Sequence, residues 1–193
     1  MRLGNKVALI TGGGSGLGRA SAVLFAAEGA MVVVSDQNED TAKETADSIL
    51  SDGGDATVVE GDVSIDADTQ RMVKTAVEAY GKLDVLVNSA GISTRHVRDP
   101  NPSHEMLWDR VMDVNIKGTY LVCWYSVPEM ERAGGGSIIN LASIMGLVGI
   151  PYGTGGGGFN PYTASKGAVV NFTRNLAIDC ASKNIRVNCI CPG

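Results

Sequence analysis

The sequence predicts an α/β protein built on a doubly wound parallel sheet, and three observations predict it. Short apolar strands alternate with longer helical segments, and those strands are continuously apolar rather than alternating. A glycine-rich turn, Thr11-Gly12-Gly13-Gly14-Ser15-Gly16-Leu17-Gly18, joins the first strand to the first helix. Continuously apolar strands are buried on both faces, as in a parallel sheet covered by helices on each side. Right-handed crossovers then give the strand order 3-2-1-4-5-6.

Taken in order, Lys6–Ile10 reads as a strand and Leu17–Glu28 as a helix. Met31–Ser35 is a β-branched strand ending at Asp36, and Asn38-Glu39-Asp40 starts a helix that runs through Ile49 and stops near Gly53-Gly54. Ala56–Val59 is a strand, Asp66–Ala79 a helix closed by Gly81, and Leu83–Val87 a strand leading into Asn88-Ser89-Ala90-Gly91. A long helical stretch spans Ser103 to Arg132 and is ended by Gly134-Gly135-Gly136. Ser137–Leu141 is the next strand, Tyr162–Ala181 a helix and Ile185–Ile190 the last strand. With no repeat and no linker, residues 1–193 read as a single domain.

With 44% hydrophobic and 19% charged residues, the chain has the composition of an ordinary globular protein with a real core. A net charge of −5 argues against nucleic acid or an anionic membrane as the main partner. No apolar run is long enough to cross a bilayer and no signal region precedes the first strand, so a cytoplasmic location is expected. The four cysteines, Cys123, Cys180, Cys189 and Cys191, lack zinc-like spacing and read as free thiols. Cys189 and Cys191 flank Ile190 in a strand and are expected on opposite faces. His96 and His104 have no carboxylate cluster around them, so surface positions and no metal site are expected.

A glycine-rich turn between a strand and a helix lets the backbone approach a pyrophosphate, and the helix N-terminus offers free N–H groups and partial positive charge. Asp36, at the end of the second strand, is placed to accept hydrogen bonds from both hydroxyls of an adenosine ribose. Its charge would repel the extra phosphate of NADP, so NAD is the expected cofactor. The other reading of Asp36 is a cap for the helix that follows.

Tyr162-Thr163-Ala164-Ser165-Lys166 places a phenol and an ammonium one turn apart on one helix face. A neighbouring ammonium favours the phenolate. Such a tyrosine can take the proton of an alcohol, or return it to a carbonyl.

The spacing Thr-Gly-x-x-x-Gly-x-Gly followed by Tyr-x-x-x-Lys resembles the short-chain dehydrogenase/reductase family, with its Rossmann-type fold, from about Lys6 to Gly193. The resemblance implies cofactor contacts at Gly12, Ser15, Gly16, Leu17, Gly18 and Asp36. Ser15 and Gln37 stand where relatives preferring NADP often carry a basic residue. Asp62-Val63 matches the family's adenine-contacting pair, and Asn88, Ala90 and Gly91 match the turn that lines the cofactor cleft. Pro192-Gly193 matches a turn beside the nicotinamide. Asn115, Ser143, Tyr162 and Lys166 match the catalytic set. There Ser143 would hold the substrate oxygen, Tyr162 would carry the proton, Lys166 would also bind the nicotinamide ribose, and Asn115 would hold a water on the proton path.

The implied activity is hydride transfer between NAD and a secondary alcohol or ketone. An NADP-linked 3-oxoacyl-type reductase and a non-catalytic NAD-binding protein stand as alternatives. Relatives form dimers and tetramers through the helices corresponding to Trp108–Met130 and Tyr162–Ala181, so a homo-oligomer is expected. Three departures stand out. Ser89 replaces an asparagine of the family's turn, and the interval from Ser143 to Tyr162 is lengthened by the Gly153–Gly158 stretch. Relatives also continue past the position of Gly193 into a substrate-covering segment and a seventh strand, so a longer polypeptide is expected.

Overall fold

Every residue of Val7–Thr11, strand β1, is buried, because both faces of the strand are covered. Val7 and Leu9 point into one apolar cluster with Met72, Val122 and Met130, while Ala8 and Ile10 point into another with Ala22, Ala42 and Ile49. Removing a side chain such as the fully buried Leu9 down to alanine costs about 2–5 kcal/mol. The computed structural model describes residues 1–149 and 159–193, so the Gly153–Gly158 stretch lies outside the described residues.

Around β1 are β2 (Met31–Asp36), β3 (Asp55–Glu60), β4 (Val85–Asn88), β5 (Gly136–Leu141) and β6 (Ile185–Ile190). They form one sheet in the order β3-β2-β1-β4-β5-β6, with every neighbouring pair parallel. This is the doubly wound, Rossmann-type arrangement the apolar strands predict. Helices α1 (Gly16–Ala27) and α2 (Glu39–Ser51) cover one face. Helices α3 (Asp66–Tyr80), α5 (Thr119–Arg132) and α6 (Pro161–Cys180) cover the other, and α4 (His104–Met112) packs against α6. Between β2 and β4 the winding reverses at β1, and ligands of such sheets sit at the carboxyl ends of the strands beside this switch point.

Local chemistry explains most element ends. The Asn38 side chain accepts from the Thr41 N–H, and Glu39 and Asp40 follow in the first turn of α2, where a helix favours negative charge. Gly81 closes α3 with φ of 80°. Asn160 caps α6, and Pro161 occupies its first turn, where a missing N–H costs nothing.

Two differences from the sequence reading have physical causes. β4 starts at Val85 rather than Leu83, because Asp84 turns its carboxylate to the Val7 N–H at 2.9 Å and to Lys6 and Lys82. Burial pushes that carboxyl upward, yet these donors outweigh burial and hold it below the usual carboxylate range. Cys189 and Cys191, expected on opposite faces, both pack against the cluster of Ala142, Val169 and Val170. Residues two apart on a strand share a face, so the expectation mistook the period.

The stretch from Ser103 to Arg132 is helical as expected, but not uniformly so. A π-helical segment, Asp113–Gly118, joins α4 to α5. Such wide turns occur mostly as single-turn bulges and often mark functional sites; this one carries Asn115.

Candidate active site

At the carboxyl end of β1 the glycine turn folds back against the turn after β4. The Thr11 hydroxyl accepts from the N–H groups of Ser89 and Ala90, each at 3.2 Å. Gly12 has φ of 64°, and a Cβ there would stand 2.9 Å from Ala90 Cα, closer than any side chain tolerates. The glycine is therefore required by backbone contact as well as by conformation. Gly18 is pressed against the Gly12 carbonyl in the first turn of α1, so the turn and the helix start form one unit. Ser15 and the side chain of Leu17 are exposed beside Gly16, at the open side of this cradle.

Asp36 ends β2 facing that cradle. One carboxylate oxygen accepts from the Gly14 N–H at 3.0 Å and the other from the Asn38 N–H at 3.0 Å. The cap of α2 is Asn38, so Asp36 is not that helix's cap. A carboxylate has about four lone-pair sites, so acceptor capacity remains on both oxygens.

Asp62 lies beyond β3, where a partner unseen in the sequence holds it. Arg110 of α4 donates to one oxygen at 3.0 Å, and the Ser64 N–H and hydroxyl donate to the other at 2.9 and 2.7 Å. Burial raises the Asp62 carboxyl, but these bonds more than offset it and leave it below the ordinary range. Val63 is buried beside it.

Asn88 ends β4 with its side chain turned into the protein. It is buried, and its amide donates to Asn140 Oδ1 at 2.9 Å and to Cys123 Sγ at 3.2 Å. Asn140 donates in turn to Thr173 at 2.9 Å, so β4, β5 and α6 are tied beneath the site. Burial pushes the Cys123 thiol up to about 12, so it stays protonated in this network.

The other predicted residues converge where β4, β5 and α6 meet. Ser143 follows β5, is buried, and caps a single 3₁₀ turn by accepting from the Met145 N–H at 3.1 Å. That turn rests on the α6 backbone: a Cβ at Gly146 would stand 2.6 Å from the carbonyl carbon of Lys166. The Pro192 carbonyl accepts from the Ile144 N–H at 2.9 Å, which brings Pro192-Gly193 beside Ser143.

Tyr162 and Lys166 lie one turn apart on α6, with the ammonium 5.6 Å from the centre of the phenol ring. Lys166 is buried and donates to the Leu141 carbonyl at 2.6 Å. Burial lowers it to about 8. Gly91 links this end to the cofactor turn, since a Cβ there would stand 3.3 Å from Lys166 Nζ and 3.4 Å from Asn115 Oδ1. The Asn115 side chain is buried and spent on the Ile92 backbone and on Ser165.

The two ends make different demands. The glycine cradle, a helix N-terminus and a carboxylate at the end of β2 suit the pyrophosphate and ribose of a dinucleotide. The cluster at β5 and α6 offers a hydroxyl at Ser143, a phenol at Tyr162 and an ammonium at Lys166. Sequence reasoning missed the bonds of Arg110 to Asp62 and of Asn115 to Ser165, because these partners are distant in the chain. Among the described residues there is no group of histidine, cysteine, aspartate and glutamate fit to hold a metal ion, and no helix is long and apolar enough to cross a membrane.

Known proteins share this arrangement. Residues 6–193 match the short chain dehydrogenase family. An uncharacterized oxidoreductase of Thermotoga maritima is 44% identical over 193 residues, covering 100% of this chain and 73% of that protein. A cyclohexanol dehydrogenase of Acinetobacter sp. is 39% identical over 195 residues, covering 100% of this chain and 74% of that protein. The crystal structure of a hydroxysteroid dehydrogenase from Escherichia coli superposes with a TM-score of 0.82 at 36% identity, covering 100% of this chain and 72% of that one. On the sheet order, the glycine cradle and this match along nearly its whole length, the chain belongs to the short-chain dehydrogenase/reductase family of NAD(P)-dependent oxidoreductases.

Proposed function

We propose that this oxidoreductase interconverts secondary alcohols and ketones with NAD, and that Tyr162 carries the proton. The observation that carries the reading is the buried Lys166 ammonium beside the Tyr162 ring, at the point where the cofactor turn reaches α6 through Gly91. The cradle formed by Gly12, Ser15, Gly16, Leu17 and Gly18 would hold the pyrophosphate, with Asp36 on the adenosine ribose and Asp62 and Val63 on the adenine. Ala90, Gly91, Pro192 and Gly193 would line the nicotinamide end, and Asn88 would brace the strand beneath it. Bound there, the nicotinamide supplies the acceptor or donor of a hydride.

The chain's own groups handle the rest. Ser143 would fix the substrate oxygen by a hydrogen bond from its hydroxyl. Tyr162 takes the hydroxyl proton at its phenolic oxygen during oxidation and returns it during reduction. Lys166, charged below about pH 8, stabilises the phenolate by its field. Asn115 would hold a water on the proton path behind Lys166, and its amide ties the segment after the cofactor turn to α6.

Asp36 favours NAD over NADP, since a second phosphate on the ribose would meet its charge. That choice disfavours an NADP-linked 3-oxoacyl-type reductase. Two similar proteins are a cyclohexanol dehydrogenase and a hydroxysteroid dehydrogenase, which supports a cyclic secondary alcohol as substrate. Exposed Ile144, Leu147 and Val148, directly after Ser143, suit an apolar substrate body. A homo-oligomer in the cytoplasm completes the reading.

The test is a panel of cyclic and open-chain secondary alcohols offered with NAD and with NADP, followed by the absorbance of reduced nicotinamide. Turnover of a cyclic alcohol with NAD is expected. A folded, cofactor-binding protein that turns over none of them would overturn the reading.

A further inference from the structure

The Asn115 amide is fully committed. Its oxygen accepts from the Ile92 N–H at 2.7 Å, and its nitrogen donates to the Ile92 carbonyl at 2.9 Å and to Ser165 Oγ at 2.9 Å. Ser165 passes the connection on, donating its hydroxyl proton to the Tyr162 carbonyl at 2.8 Å. Ser165 and Asn115 are both fully buried. An unbroken line of hydrogen bonds therefore runs from the segment after the cofactor turn, through α4–α5, to the backbone of the residue that bears the phenol.

The position of Tyr162 makes that line matter. It sits in the first turn of α6, where no preceding helical turn restrains the backbone. Asn160 holds the Tyr162 N–H at 3.0 Å, and Ser165 holds its carbonyl. Without the Ser165 hydroxyl, one Asn115 N–H would be buried and unpartnered, which is unfavourable. Relief of that cost moves Asn115, Ile92 or the first turn of α6.

We propose that Ser165 is a positioning residue that holds the Tyr162 phenol in register with Lys166 and with the cofactor turn. This rests on the reading of Tyr162 as the proton carrier. Ser165 bonds the Tyr162 carbonyl and the Asn115 amide, and acts through them.

Ser165→Ala in the full chain tests it, on an alcohol the unmodified protein turns over. The expected result is a fall in kcat of about tenfold to a hundredfold, the size a misplaced reacting group produces. Cofactor affinity stays unchanged and the acid limb of the kcat/KM profile moves to higher pH. Ser165→Cys, similar in size with a weak donor, recovers part of the loss and covers the case in which the alanine variant does not fold. Combining Ser165→Ala with Asn115→Ala costs less than the product of the separate losses, as for partners in one network. A lower melting temperature with unchanged kcat and pH profile would overturn the proposal, as would fully multiplicative losses. Hydrogen exchange at the Ile92 amide gives a readout that needs no turnover, and Ser165→Ala is expected to speed it. An unmodified protein that oxidises no alcohol counts against the proposed function; unchanged exchange at Ile92 then overturns this inference separately.

Discussion

Lys166 Nζ stands 5.6 Å from the centre of the Tyr162 ring while donating to the Leu141 carbonyl at 2.6 Å. One ammonium is thus fixed to the end of β5 and held within cation–π range of the phenol. Burying it there has a cost in stability that depends on pH.

Burial depresses Lys166 to about 8, against about 10.4 for an exposed lysine. Between these values the unfolded chain binds more protons than the folded one, so stability rises with pH through that window. Below about 8 both states are protonated and the full penalty, of order 3 kcal/mol, is present. Lys166→Met is therefore expected to raise the melting temperature at pH 7, with the gain shrinking as pH approaches 10. A gain that does not change with pH would contradict the assignment.

Cofactor choice follows from Asp36. Both its oxygens already accept backbone N–H groups, which keeps the carboxylate aimed at the cradle. NAD is expected to bind at least about tenfold more tightly than NADP, a difference of about 1.4 kcal/mol. Asp36→Ala combined with Gln37→Arg should relax or reverse that order. Titration of both cofactors by fluorescence checks it, and equal affinities in the unmodified protein would contradict it.

On helices α5 and α6 the Tyr120 ring lies between Trp124 and Phe172, 6.0 Å from each, centroid to centroid. Trp124 is 63% exposed and Ile178 76%, apolar surface of the kind that marks an interface. Trp124→Glu is expected to reduce a homo-oligomer to smaller species in light scattering, with the cofactor still bound. A monomeric unmodified protein would contradict this surface as the interface.

The parts of the fold set by local pattern were legible. Both-face burial of Val7–Thr11 follows from an unbroken apolar run, and the cradle follows from Thr11 through Gly18. Tyr162 and Lys166 were legible because four residues on a helix is a fixed geometry. What escaped depends on contacts between distant segments. Nothing around Arg110 signals that it would reach Asp62, 48 positions away. The π turn at Asp113–Gly118 has an ordinary helical sequence, and β4 was misplaced because Asp84 is claimed by Val7. Ser165 reads as a plain helix residue until Asn115 is placed beside it. The two thiols at Cys189 and Cys191 were legible and were misread, since alternation puts them on one face.

In the proposed reaction the Tyr162 oxygen carries the proton. Tyr162→Phe keeps the ring and its packing and removes only that oxygen. The most direct measurement is therefore kcat for a secondary alcohol in the Tyr162→Phe variant, beside its NAD affinity. A loss of kcat of at least about a hundredfold is expected, the scale of a lost general base, with NAD binding unchanged. Substantial turnover by the phenylalanine variant would contradict it, and would assign the proton to another group.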